Sequence, residues 1–216
     1  TALSVVSLVS VDLWTHRNEI ETAARWLVEN QNTDGGWAFS GLPDDTLPSD
    51  ADDTALTLLA LLESKASNID APIQRGLDWL CAHQASDGSW STYLPGHGDV
   101  GCVSITAHAI EALLEASGRE IEIERACQWL KAQISPEGFW TDLWLAKNTY
   151  GTANAMNALI KVGQGDCAEV SKGVRWLERQ QNDDGGWGED IFGRPSTSTP
   201  EQTAWCTRAL LFADPT

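Results

Sequence analysis

Several things are scarce in this chain, and each scarcity excludes something. Lysine and arginine total 14 against 31 aspartates and glutamates, a formal net charge of −17. Nucleic acid and anionic lipid are therefore disfavoured as partners, because like charges repel. Long apolar runs are missing, so no segment is expected to span a bilayer, and no signal-peptide pattern is seen. Cysteine is sparse and scattered: Cys81, Cys102, Cys127, Cys167 and Cys206 are odd in number and never form C-x-x-C. They read as small buried hydrophobes in a reducing, cytoplasmic setting rather than a disulfide framework or zinc knuckle, and no metal site is expected. Sustained period-two alternation is also lacking, so strands are not expected.

Tryptophan is what the chain has in abundance. Trp26 and Trp37, Trp79 and Trp90, Trp129 and Trp140, and Trp176 and Trp187 form four pairs, each eleven residues apart, in the frame W-L-x7-G-x-W. Repetition at a period of about 50 residues marks an array of supersecondary units. Eight of the eleven tryptophans belong to it, leaving Trp14, Trp144 and Trp205 for other work. Asp-Gly steps at 34–35, 87–88 and 184–185 end the frames as turns.

A second repeat interleaves with the first. Thr54-Ala55, Thr106-Ala107, Thr152-Ala153 and Thr203-Ala204 each open a helical pattern, and Thr1-Ala2 opens a fifth. Thr199, Pro200 and Gln202 read as N-cap, N1 proline and capping-box glutamine, and Asp70 precedes Pro72 in similar style. Helices are expected at 2–15, 18–30, 50–64, 71–84, 102–117, 121–133, 150–162, 168–180 and 200–212. Paired helices of this kind stack in two layers, an open solenoid or a closed α/α barrel. The small, apolar Thr-Ala helices suit the inner layer, five of them, and the four tryptophan-bearing helices the outer one. The residues two before and two after each threonine vary while their neighbours repeat: Asp52 and Leu56, Ser104 and His108, Tyr150 and Asn154, Glu201 and Trp205. Each pair lies four residues apart on one helix face. A functional interior would vary in this way, and so would a wet helix end.

Asp50, Asp52 and Asp53 place three carboxylates within four residues at a helix start. Acids favour helix N-termini through the dipole, so a cluster alone means little. The spelling says more. Asp50-Ala51-Asp52-Asp53-Thr54-Ala55 within the tryptophan frames resembles the class II terpene cyclases and, among them, the squalene-hopene cyclases. GGWAF at 35–39, TAH at 106–108, GFW before Trp144 with YGT at 150–152, QNDDGGWGED at 181–190 and STPEQTAW at 198–205 are similar to that family in the same order. The resemblance implies an α/α barrel over 1–216, like the catalytic C-terminal half of those enzymes. It implies cyclisation of a linear isoprenoid started by protonation, with Asp52 as proton donor, Asp50 and Asp53 in support, and His108 as hydrogen-bonding partner. Phe39, Trp144, Tyr150 and Trp205 are the aromatic residues available to line a substrate site and stabilise a carbocation. No cofactor is implied; magnesium would enter only with a diphosphate substrate.

Departures from the family pattern are Asn148, where a tyrosine is usual, Val103-Ser104 in place of an acidic pair, and Ile134 in place of a frame glutamine. Five inner and four outer helices also fall short of six pairs, which leaves room for a further segment or partner chain to complete the barrel. The resemblance leaves peripheral membrane contact open. Two other functions compete: a non-catalytic helical scaffold, and a zinc-dependent protein prenyltransferase subunit, for which Cys102 and His108 lie close in sequence but the ligand motifs are missing. Asp44-Asp45-Thr46-Leu47-Pro48 does not complete the DDxxD pattern of ionisation-initiated synthases. No basic cluster for a diphosphate is evident, which favours a hydrocarbon substrate.

Overall fold

A computed structural model describes residues 1–12, 14–39, 47–91, 100–143 and 147–214. Among them are nine helices: α1 (Ala2–Asp12), α2 (Arg17–Glu29), α3 (Ala51–Ser64), α4 (Asp70–Ala82), α5 (Val103–Ala116), α6 (Glu120–Ala132), α7 (Lys147–Lys161), α8 (Ala168–Gln180) and α9 (Pro200–Ala213). Two isolated antiparallel bridges, Trp37 with Asp50 and Glu189 with Pro195, are the only extended pairings among the described residues. None of these helices is long and apolar enough to cross a membrane.

The chain divides into two compact units. The first comprises Thr1–Ser86, Trp90–Gly101 and His108–Ile123; the second comprises Asp87–Ser89, Cys102–Ala107 and Glu124–Thr216. In the first, α1 packs beside α3, and α2 and α4 lie against α3. In the second, α7 packs beside α9, with α8 against both. The Thr-Ala helices thus neighbour one another within each unit, as their small side chains permit. Ala55, Leu58, Ala60 and Leu61 of α3 and Ala153, Ala155, Ala158 and Leu159 of α7 are fully buried. The tryptophan-bearing helices bury one stripe only, as Val170, Gly173, Trp176 and Leu177 do in α8.

Each tryptophan frame is a joint. The second tryptophans, Trp37, Trp90, Trp140 and Trp187, are buried. Their indole N–H groups donate to Leu27, Leu80, Leu130 and Leu177 carbonyls at 2.7, 2.8, 2.6 and 2.8 Å, near the ends of the outer helices just completed. Backbone N–H groups of Trp37, Trp140 and Trp187 donate to the hydroxyls of Thr54, Thr152 and Thr203 at 2.9, 3.0 and 3.0 Å. The recurrent threonine therefore ties the frame to the next inner helix. Glycine at the turn is required twice over: Gly35 and Gly138 have φ of +98° and +100°, and a Cβ there would stand 2.9 and 3.0 Å from the carbonyl oxygens of Arg75 and Lys172 on the following outer helix. The Trp37 ring packs on Gly76 and the Trp140 ring on Gly173, the small residues that let the rings in.

Gln31 bridges the Gly35 and Pro72 carbonyls, and Gln84 reaches the Glu122 carbonyl. Ile134 cannot do this; there Arg179 donates to the Glu137 carbonyl at 3.2 Å.

Three expected helix starts differ. Thr199 caps α9 with its hydroxyl accepting from the Gln202 N–H, but the Gln202 side chain does not close a capping box. Its amide instead clasps the Glu189 backbone, accepting from N–H at 2.7 Å and donating to C=O at 3.2 Å. Asp70 is the first residue of α4 and gives no side-chain cap. The start of α7 falls at Lys147 rather than 150. Glu189 explains this: its carboxylate accepts from the N–H groups of Asn148 and Thr149 at 2.6 and 2.8 Å, capping the extra turn from outside.

Candidate active site

The acidic motif sits where α3 begins. Asp50 is the N-cap, with extended backbone and a carboxylate that accepts the Asp53 N–H at 2.9 Å. This fixes the first turn and sets Asp52 and Asp53 on it. His108 lies in the α5 portion of the same unit, and its Nδ1 is 2.7 Å from Oδ1 of Asp52. The histidine side chain is 10% exposed and the aspartate 36%. One oxygen of Asp52 is thus held by the ring while its side chain keeps access to the surroundings.

The three carboxyls are not electrostatically alike. Burial pushes Asp50 up to about 8, with Asp53 and Asp52 adding like-charge repulsion. Asp53 is also raised, chiefly by burial, partly offset by its hydrogen bond to Asp50. The pair therefore retains a proton at neutral pH. A neutral Asp50 spares Asp52 one adjacent negative charge.

The other expected residues fall in different places. Phe39 is 83% exposed. It lines a cavity of 220 Å³ in the first unit with Trp26, Trp37, Asp53 and Leu56. Tyr150 and Trp205 meet in the second unit, edge to face, with ring centroids 5.2 Å apart and planes at 88°. Trp144 lies outside the described residues, as do Asp44, Asp45 and Thr46 of the incomplete DDxxD segment. Among the described residues, no group of three or more His, Cys, Asp or Glu side chains is placed to hold a metal ion.

Two carboxylates of structural weight were not singled out from sequence. Asp142, 1% exposed, accepts the Ser104 N–H at 2.7 Å at the start of α5 and has the Cys102 thiol 3.6 Å away. Together with burial, it pushes the Cys102 thiol up to about 11, which keeps that thiol protonated. Glu189 serves the start of α7 in the same way. Both stand two residues after the second tryptophan of a frame, Trp140 and Trp187, and that spacing was the available signal. Asp142 supplies from another segment the acid that Val103-Ser104 lacks. Asn148 donates to the Gly193 carbonyl at 3.2 Å and accepts from Thr141 at 3.1 Å, so it anchors the start of α7.

Comparison with known proteins bears on family and fold. The squalene-hopene cyclase of Alicyclobacillus acidocaldarius is 32% identical over 252 residues, covering 98% of this chain and 40% of that protein. The copalyl diphosphate synthase of Streptomyces anulatus is 32% identical over 201 residues, covering 89% of this chain and 33% of that protein. The chain thus spans between a third and two fifths of these relatives' length. Among solved structures, the type II terpene cyclase MstE from Scytonema superposes with a TM-score of 0.78 at 21% identity, covering 98% of this chain and 61% of that one. This likeness shows the fold, the all-α, α/α-barrel class expected from the repeats. The family model of the squalene-hopene cyclase C-terminal domain matches residues 1–98 and 97–216, and the chain belongs to that family.

Proposed function

We propose that the chain is a class II terpene cyclase domain over 1–216, an isomerase that closes a linear polyprenyl substrate into rings by protonating an alkene, with Asp52 as the acid. The 2.7 Å contact between His108 and Asp52 carries this reading. Protonating an unactivated alkene needs a strong acid. The His108 ring holds Oδ1 of Asp52 in place, which orients the carboxyl so that its other oxygen can face an alkene. Asp50 and Asp53, both raised by burial, hold a proton between them and so limit the negative charge beside Asp52.

In the proposed reaction the proton leaves the other oxygen of Asp52 for the terminal alkene carbon. The resulting cation is attacked by successive alkenes of the same chain, and a proton is lost at the end, so substrate and product are isomers. Phe39, Trp144, Tyr150 and Trp205 are assigned to substrate binding, where aromatic faces stabilise cationic character and apolar walls keep water from quenching it. The test is incubation with squalene and with geranylgeranyl diphosphate, followed by mass spectrometry of the products. Wild type should yield cyclic isomers. Asp52→Asn should yield none while melting normally, and His108→Ala should be slowed by about 10²-fold or more, the usual scale for a group supporting acid–base catalysis. Full turnover by Asp52→Asn would remove the acid assignment, and no turnover by wild type would remove the cyclase reading.

A further inference from the structure

The inner helices of the second unit carry a polar level one turn beyond the residues discussed so far. On α7, the Thr152 hydroxyl and the Met156 side chain face the Trp140 frame and Gly173 of α8. At 100° per residue, Tyr150, Asn154 and Asn157 lie on the opposite side. On α9, the Thr203 hydroxyl faces the Trp187 frame, so Trp205, Arg208 and Phe212 lie opposite by the same count. Tyr150 and Trp205 touch, which places these two faces side by side. Asn157 and Arg208 occupy the same repeat position, each five residues after its Thr-Ala threonine.

Both residues are left with bonding capacity. Asn157 is fully buried, and neither its amide nitrogen nor its amide oxygen has a hydrogen-bond partner. A buried amide in that condition is costly, and native proteins keep few. Arg208 is half-buried and forms no hydrogen bond or ion pair with a described residue, in a chain with 31 acidic side chains. Its guanidinium instead lies over the Trp205 ring at 5.8 Å and the Phe212 ring at 5.2 Å. Cation–π contact of this kind holds the guanidinium beside the two rings without using its N–H donors. A fixed fork of donors suits the paired oxygens of a carboxylate or phosphate.

We infer that Arg208 and Asn157, with Trp205 and Phe212 as the stacking support, form a subsite for the anionic head of the prenyl substrate. This rests on the cyclase reading and narrows it: the substrate is a linear prenyl chain ending in a diphosphate or carboxylate, rather than the hydrocarbon that the lack of a basic cluster favoured. Arg208 supplies the charge-assisted bonds, and the Asn157 amide supplies a donor to a further head-group oxygen. Neither residue takes part in proton transfer.

Calorimetric binding of three probes with one prenyl chain tests the inference: geranylgeranyl diphosphate, geranylgeranoic acid and geranylgeraniol. Wild type should bind at least one anionic probe about 10-fold or more tightly than the alcohol, the scale of a few charge-assisted bonds; which anion binds separates diphosphate from carboxylate. Arg208→Gln should lose that advantage and keep the alcohol affinity. Arg208→Lys, which keeps charge and bulk without the fork, should lose part of it, and Asn157→Leu should weaken the anionic probes alone. Asp52→Asn should bind like wild type while turning nothing over. Equal affinity for alcohol and anions, or anion binding unchanged in a folded Arg208→Gln, overturns the subsite. Squalene cyclisation at an equal rate by wild type and Arg208→Gln, with no preference for an anion, removes the subsite and leaves the cyclase. No binding of any probe and no turnover removes both.

Discussion

At the scale of single residues, the site depends on treating like groups unequally. Asp50, Asp52 and Asp53 are neighbours in sequence, yet one is paired with His108 and the other two are half-buried and bonded to each other. This has a consequence for stability. Asp50 holds its proton up to about 8 in the folded chain and releases it at its ordinary value of 3.8 when unfolded. Between those values the folded chain binds more protons, so stability is fully present below the lower value and falls as pH rises towards the upper one. The melting temperature of wild type should therefore drop from about pH 5 to about pH 8, and Asp50→Asn, which has no such proton to lose, should drop less. An equal drop in both would show that Asp50 ionises normally in the folded chain. The importance of these residues could be seen in the spelling of the motif, but the inequality could not, because burial of Asp50 and Asp53 is set by packing and not by local sequence.

At the scale of elements, the frame-and-helix unit governs stability. Trp37 is buried, donates to Leu27, receives Thr54 on its backbone and packs its ring on Gly76. Trp37→Ala should cost about 3–5 kcal/mol by loss of ring burial and the cavity left behind, read by denaturant unfolding. Glu189→Ala should cost about 1–3 kcal/mol, because the Asn148 and Thr149 N–H groups lose their acceptor, with the first turn of α7 exchanging its amide protons faster. Helix positions were legible because two repeats phase each other: the threonines of α3, α7 and α9 and the leucine after each first tryptophan are partners of the second tryptophans. What was not legible is the traffic between non-adjacent segments. The Gln202 side chain was expected to cap its own helix and instead holds Glu189, and Glu189 in turn lengthens α7 backwards to Lys147. A local capping rule cannot anticipate a carboxylate arriving from 40 residues away.

At the scale of the whole molecule, the described residues form two compact units, with Asp52 and His108 in the first and the Tyr150–Trp205 pair, Asn157 and Arg208 in the second. The all-α, two-layer architecture was legible from the two repeats, which left an open solenoid and a closed barrel both possible; the barrel was what the family resemblance implied. Chemistry came from a different level, the order of short motifs shared with the family, and the head-group subsite came from neither, because Arg208 looks like any helix-surface cation until its aromatic partners and its lack of a carboxylate are seen. The central claim, that Asp52 starts the reaction by giving a proton to an alkene, is tested most directly by running the reaction in D2O and analysing the product by mass spectrometry. Protonation-initiated cyclisation adds one deuterium at the carbon of the former terminal alkene and loses one proton at the end, so the product is about one mass unit heavier than the substrate, and Asp52→Asn gives no product. A cyclic product with no deuterium at that carbon, or the same labelled product from Asp52→Asn, would contradict it.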